Sequence, residues 1–149
     1  MPVKITYSND TKKENLTNLI LFSNEKFEVK YLKKFLSKND FSYINDLLKT
    51  SELKKKILVF EVSSKKKIIL VSIKNNLSAI DAESLGAELY GRINQGKNLE
   101  YSLNANSISS KQKNFVCHFL HGLKLKSYEF KKYKTKKDIK VISINVIGN

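Results

Sequence analysis

The sequence contains no tryptophan, one cysteine, one proline and five glycines in 149 residues. Each scarcity excludes something. A lone Cys117 cannot close an intramolecular disulfide, so the fold must rest on an apolar core, and a cysteine inside a helix-like apolar pattern reads as structural and suits a reducing compartment. His118 and His121 are the only histidines. On one helix they would stand about 60° apart, with Cys117 on another bearing. A single helix cannot close a tetrahedral site, so no metal ligand is assigned. Cys117 is not assigned as a nucleophile either, because it lies mid-helix and its neighbouring histidine points elsewhere.

The glycines are too dispersed to cradle a phosphate. Neither G-x-G-x-x-G nor G-x-x-x-x-G-K-[ST] occurs, and the loop Lys74-Asn75-Asn76-Leu77 after a strand-like run has no glycine. A nucleotide-binding domain of macro-domain layout is opposed on that ground. Long apolar runs are missing as well. Ile57–Phe60 and Ile68–Val71 fall far below the ~20 residues of a membrane span, and Met1–Thr6 lacks the apolar segment of a signal peptide. The expectation is a cytoplasmic chain with no membrane partner.

Positive charge is abundant: 28 Lys plus Arg against 14 Asp plus Glu, a net +14. Such a surplus admits non-specific nucleic acid as a partner, because counterion release favours any basic protein on a polyanion at low salt. Its composition argues for a solvated surface instead. Every basic residue except Arg92 is lysine, which lacks the bidentate guanidinium that reads phosphate and guanine. The acidic residues are scattered, and Asp81, Glu83 and Glu88 are explained as helix-start and helix-surface groups. No catalytic, cofactor-binding or metal-binding residue is assigned in this chain.

At this length one domain, residues 1–149, buries roughly 68–70% of the surface its unfolded chain exposes. Val3–Tyr7 and Asn18–Phe22 read as strands separated by the polar turn Ser8–Asn15. Two apolar sets at helical spacing follow: Tyr31, Leu32, Phe35, Leu36, and then Phe41, Ile44, Leu47, Leu48, with Lys38-Asn39-Asp40 as break and N-terminal cap. Ile57–Val62 and Lys67–Ile73, joined by Ser63–Lys66, read as a hairpin. Ser78-Ala79-Ile80-Asp81 has capping-box spacing and opens a helix with Ala82, Leu85, Leu89 and Ile93 on one face and Gly96 as terminator. Leu99–Leu103 is a short strand. A helix from Ser109 or Ser110 to about Ser127 carries Phe115, Phe119 and Leu123 on one stripe, with Val116 and Leu120 beside it. The polar segment Tyr128–Lys137 precedes a last strand, Ile139–Ile147. This order predicts an α/β domain with a mixed sheet flanked by helices.

The stretch Gly122-Leu123-Lys124-Leu125-Lys126-Ser127-Tyr128-Glu129-Phe130-Lys131-Lys132-Tyr133-Lys134-Thr135-Lys136-Lys137 resembles a signature of the leucyl aminopeptidase (cytosol aminopeptidase) family. Gly122, Leu125, Tyr128, Phe130, Tyr133, Lys134, Thr135 and Lys136 match it position by position. Tyr43-Ile44, Leu47-Leu48 and Glu52-Leu53 resemble the helix before the hairpin, and Lys67–Val71 the strand after it. Ser72-Ile73-Lys74 departs from the family's glycine-containing turn. Physically, Gly122 is expected to let its helix approach the sheet closely, while Tyr128, Phe130 and Tyr133 pin the exit segment to the body. Aromatics interleaved with lysines would also suit a single-strand nucleic-acid platform if the rings were exposed on a groove.

The resemblance implies the macro-domain-like, non-catalytic N-terminal domain of a hexameric hydrolase that releases N-terminal residues from peptides. In that family two divalent ions, zinc or manganese, are held by lysine and carboxylates in a separate C-terminal domain. The implied partners are that catalytic domain and further copies of the chain, with peptide as the parent's substrate. The implied role of this part is assembly, regulation or substrate access.

Overall fold

The computed structural model describes residues 3–8, 18–24, 36–50, 56–62, 66–73, 77–93, 100–104, 114–132 and 142–147. They form β1 (Val3–Ser8), β2 (Asn18–Asn24), α1 (Lys38–Thr50), β3 (Ile57–Glu61), β4 (Lys67–Ile73), α2 (Ala79–Ile93), β5 (Glu100–Asn104), α3 (Phe115–Lys132) and β6 (Ile142–Ile147). The expected helical set at Tyr31–Phe35, the glycine at 96, the first residues of the last strand and residues 133–137 of the polar segment lie outside the described residues.

One sheet takes the order β1-β6-β5-β2-β4-β3. All pairings are parallel except β3 with β4, the expected hairpin, which is antiparallel with Ile57 opposite Val71. The helices divide between the faces as a single crossover hand requires. The chain moves one way along the sheet from β2 to β4, with α1 on one face. It moves the other way from β4 to β5 and from β5 to β6, with α2 and α3 on the opposite face.

Two apolar clusters result. Ile44 and Leu36 pack with Leu19, Leu21, Leu58, Phe60, Ile68 and Leu70 beneath α1. The larger cluster lies under α2 and α3, where Ala82, Leu85, Leu89 and Ile93 face the sheet as their spacing predicts. Phe22 sits at its centre. Its ring meets Phe115 and Phe119 edge-on at 5.4 and 5.3 Å, a geometry favoured by the ring quadrupoles.

Serine side chains cap the starts of α1 and α2. The Ser78 Oγ accepts from the Asp81 amide at 3.1 Å, as the S-x-x-D spacing predicts. The cap of α1 is Ser37 rather than Lys38-Asn39-Asp40: its Oγ accepts from the Asp40 amide at 3.2 Å, which repeats the same spacing one residue upstream of the expected break.

Tyr101 is buried in the larger cluster, and burial raises its phenol above the usual 10.0. The folded state therefore holds this proton more tightly than the unfolded chain. The associated stability is fully present below the unfolded pKa and is lost as pH rises through the folded one. In urea titrations above pH 10, wild type is expected to lose more stability than Tyr101→Phe. Equal losses would show that Tyr101 does not carry this dependence.

Candidate functional site

In an open α/β sheet, ligands favour the crevice outside the carboxyl ends of strands where successive crossovers leave in opposite directions. Here that point lies between β2, which leads toward β4, and β5, which leads toward β6. The five parallel strands end at this edge on Ser8, Asn24, Ile73, Asn104 and Ile147. Beside the switch point, Ser23 and Asn104 are buried, with Ser102 one pleat below Asn104. All three are already engaged in interactions. Serine and asparagine can hydrogen-bond a ligand but supply neither a base nor an activated nucleophile. Among the described residues, these strand ends carry no carboxylate, histidine or cysteine.

At the opposite edge, Asn18 ties three strands together. Its Nδ2 donates to the Glu100 carbonyl at 3.2 Å, and its Oδ1 accepts from the Lys67 amide at 2.7 Å. This buried asparagine satisfies backbone groups of β4 and β5 at once, which makes it a structural clasp. Nearby, Lys66 and Asp40 form a half-buried ion pair at 3.1 Å between the hairpin and α1.

The charged and sulfur-bearing groups singled out in the sequence do not converge. Cys117, read from the sequence as structural, is a free thiol exposed on α3. Phe115 and Phe119 face the sheet, and a residue two positions from each must point away from it. His121 Nδ1 lies 2.9 Å from Glu83 Oε1, joining α3 to α2. No three Cys, His, Asp or Glu side chains come together among the described residues. No helix there is long and apolar enough to cross a membrane.

Two glycines set the α2/α3 geometry. A Cβ built on Gly86 would overlap the Phe119 carbonyl oxygen, and one on Gly122 would overlap the Glu83 backbone. Gly122 thus allows its helix to approach α2 rather than the sheet, a correction to the expectation above. Gly86, which the sequence pattern did not single out, does the same from the other side. The α3 helix also runs on to Lys132, through part of the segment expected to be an exit loop. Tyr128 accordingly stands on its outer surface, 38% exposed, instead of pinning a loop to the body.

The three layers, the five parallel strands and the antiparallel edge define a macro-domain-like α/β fold. No family model matches the chain, and no curated protein matches it in sequence. Solved structures share its fold. A mutant of tomato leucine aminopeptidase superposes with a TM-score of 0.64 at 15% identity, over 98% of this chain and 32% of that one. The macrodomain of Thermus aquaticus DarG superposes with a TM-score of 0.55 at 10% identity, over 99% of this chain and 98% of that one. The chain therefore spans about a third of the length of the aminopeptidase it resembles.

Proposed function

We infer that this chain serves as the non-catalytic N-terminal domain of a leucyl-aminopeptidase-like metallopeptidase, with a role in assembly, regulation or substrate access. The observation that carries this reading is the likeness to tomato leucine aminopeptidase across 98% of this chain and only 32% of that one. The resemblance of Gly122, Leu125, Tyr128, Phe130, Tyr133, Lys134, Thr135 and Lys136 to the family's signature also supports it. The two-ion chemistry of such a parent would reside outside this domain, whose described residues offer no ligand cluster for it.

The reading has a direct test. Incubated with leucine amide and manganese, the 149-residue chain is expected to release no ammonia above the buffer rate. Turnover that a chelator abolishes, in protein purified to homogeneity, would overturn it.

A further inference from the structure

We propose that the open edge of β3 binds an extended acidic segment of another protein, taken up as an added strand of the sheet. The ladder with β4 shows which way the backbone of β3 faces. The Ser72 amide donates to the Lys56 carbonyl at 2.8 Å, and the Val62 amide donates to the Lys66 carbonyl at 3.1 Å. In this antiparallel register the residues bonded to β4 are therefore Lys56, Leu58, Phe60 and Val62. The amides and carbonyls of Ile57, Val59 and Glu61 point the other way, where no strand pairs with β3 among the described residues. Ile57 is fully covered, but Val59 is 39% exposed and the Glu61 side chain 72%. Val59 and Glu61 thus offer two donors and two acceptors at strand spacing. Each residue from Ile57 to Glu61 opposes one residue of β4, so no bulge turns this edge away.

Charge selects the occupant. Lys56 is exposed at the start of β3, and Lys67 stands opposite its end. In the sequence each belongs to a run, since residues 54–56 and 65–67 are all lysine. Between the runs the one acidic residue is Glu61, which Lys67 meets at 4.0 Å. A second copy docked edge to edge would set lysine against lysine in either strand direction, so these charges guard against self-pairing. The same charges attract an acidic strand. A segment with an apolar β-branched residue opposite Val59 and acids at both ends pairs the free backbone groups, covers Val59 and meets the lysines. Unlike a substrate trimmed from its end, such a segment needs no free N-terminus. A polynucleotide would meet the lysines but has no peptide backbone to match the alternating amides and carbonyls.

A fluorescein-labelled peptide, Asp-Glu-Val-Thr-Val-Glu-Asp, titrated with the full chain and followed by fluorescence anisotropy, tests the proposal. Saturable binding that weakens as salt rises is expected, with hydrogen exchange slowed at the Val59 and Glu61 amides. Val59→Pro removes an outward amide without touching the ladder to β4, and should weaken binding about tenfold with unchanged circular dichroism. Two further peptides, N-methylated on alternate residues, give the same reading without altering the protein. Because strand amides alternate in direction, one should lose binding and the other keep it. Absence of binding at low salt would overturn the proposal. So would equal binding of the two methylated peptides, or binding that is indifferent to Val59→Pro and matched by a single-stranded oligonucleotide of equal charge, the sign of diffuse attraction to a +14 surface.

Discussion

Gly86→Ala and Gly122→Ala are each expected to lower stability by about 3 kcal/mol, at the upper end for overpacking, and the pair together by more than either alone. At each site an added methyl would strike main-chain atoms of the facing helix, Phe119 and Leu123 in one case and Glu83 in the other. Backbone cannot swing aside as a long side chain can. Relief requires the two helices to separate, which would loosen Phe119, Leu123, Leu85 and Leu89 from the sheet beneath them. The built-in control is Gly91, on the same helix, where a Cβ meets nothing within 4 Å. Gly91→Ala is expected to stabilise by about 0.5–1 kcal/mol, because alanine loses less backbone entropy in a helix. Chemical denaturation of the three variants separates the explanations. If all three shifted the midpoint the same way, helix propensity and not the crossing would govern.

Phe119→Ala should be as severe, at about 3–5 kcal/mol, with a cavity left between α3 and the sheet. The Phe119 ring is fully buried, edge-on to Phe22 at 5.3 Å and stacked on Phe115 at 5.5 Å. Removing it leaves Phe22 and Phe115 with only each other, at 5.4 Å, in a site whose neighbours are held by strand and helix backbone. Phe119→Leu, which refills most of the volume, should recover more than half of the loss in the same denaturation experiment. Were alanine and leucine equally damaging, the quadrupole contacts rather than packing would be the larger contribution.

Much of the architecture was legible because periodicity reports which way a side chain points. Ala82, Leu85, Leu89 and Ile93 read as one buried face, and so they are. The hairpin from Ile57 to Ile73 was equally plain, since its two strands are neighbours in sequence as well as in the sheet. The continuation of α3 through Lys132 was hidden by the mixed character of Glu129, Lys131 and Lys132. These residues suit water and a helix alike, and no glycine or proline after Ser127 stops the turn. Gly86 escaped notice because its reason lies on another helix. Ser23 and Asn104 were indistinguishable from solvent-facing alternations in a strand; only the neighbouring layer makes them interior. The exposure of Cys117 follows from the spacing of Phe115 and Phe119, which puts the residue midway between them on the opposite side of the helix.

The pairing of β1 with β6 has a consequence for how the molecule is made. Thr6 and Asn145, hydrogen-bonded across this pair, are 139 positions apart in the chain. At a synthesis rate of about 5–20 residues per second, the first strand waits roughly 7 to 30 seconds before its neighbour emerges from the ribosome. During that interval its backbone amides and carbonyls are open to any other nascent strand. Exposed Lys4 and Thr6 on its outward face fit the common protection for such an edge, a charge or polar group that disfavours docking by a foreign strand. The domain's first strand is thus its last to be secured.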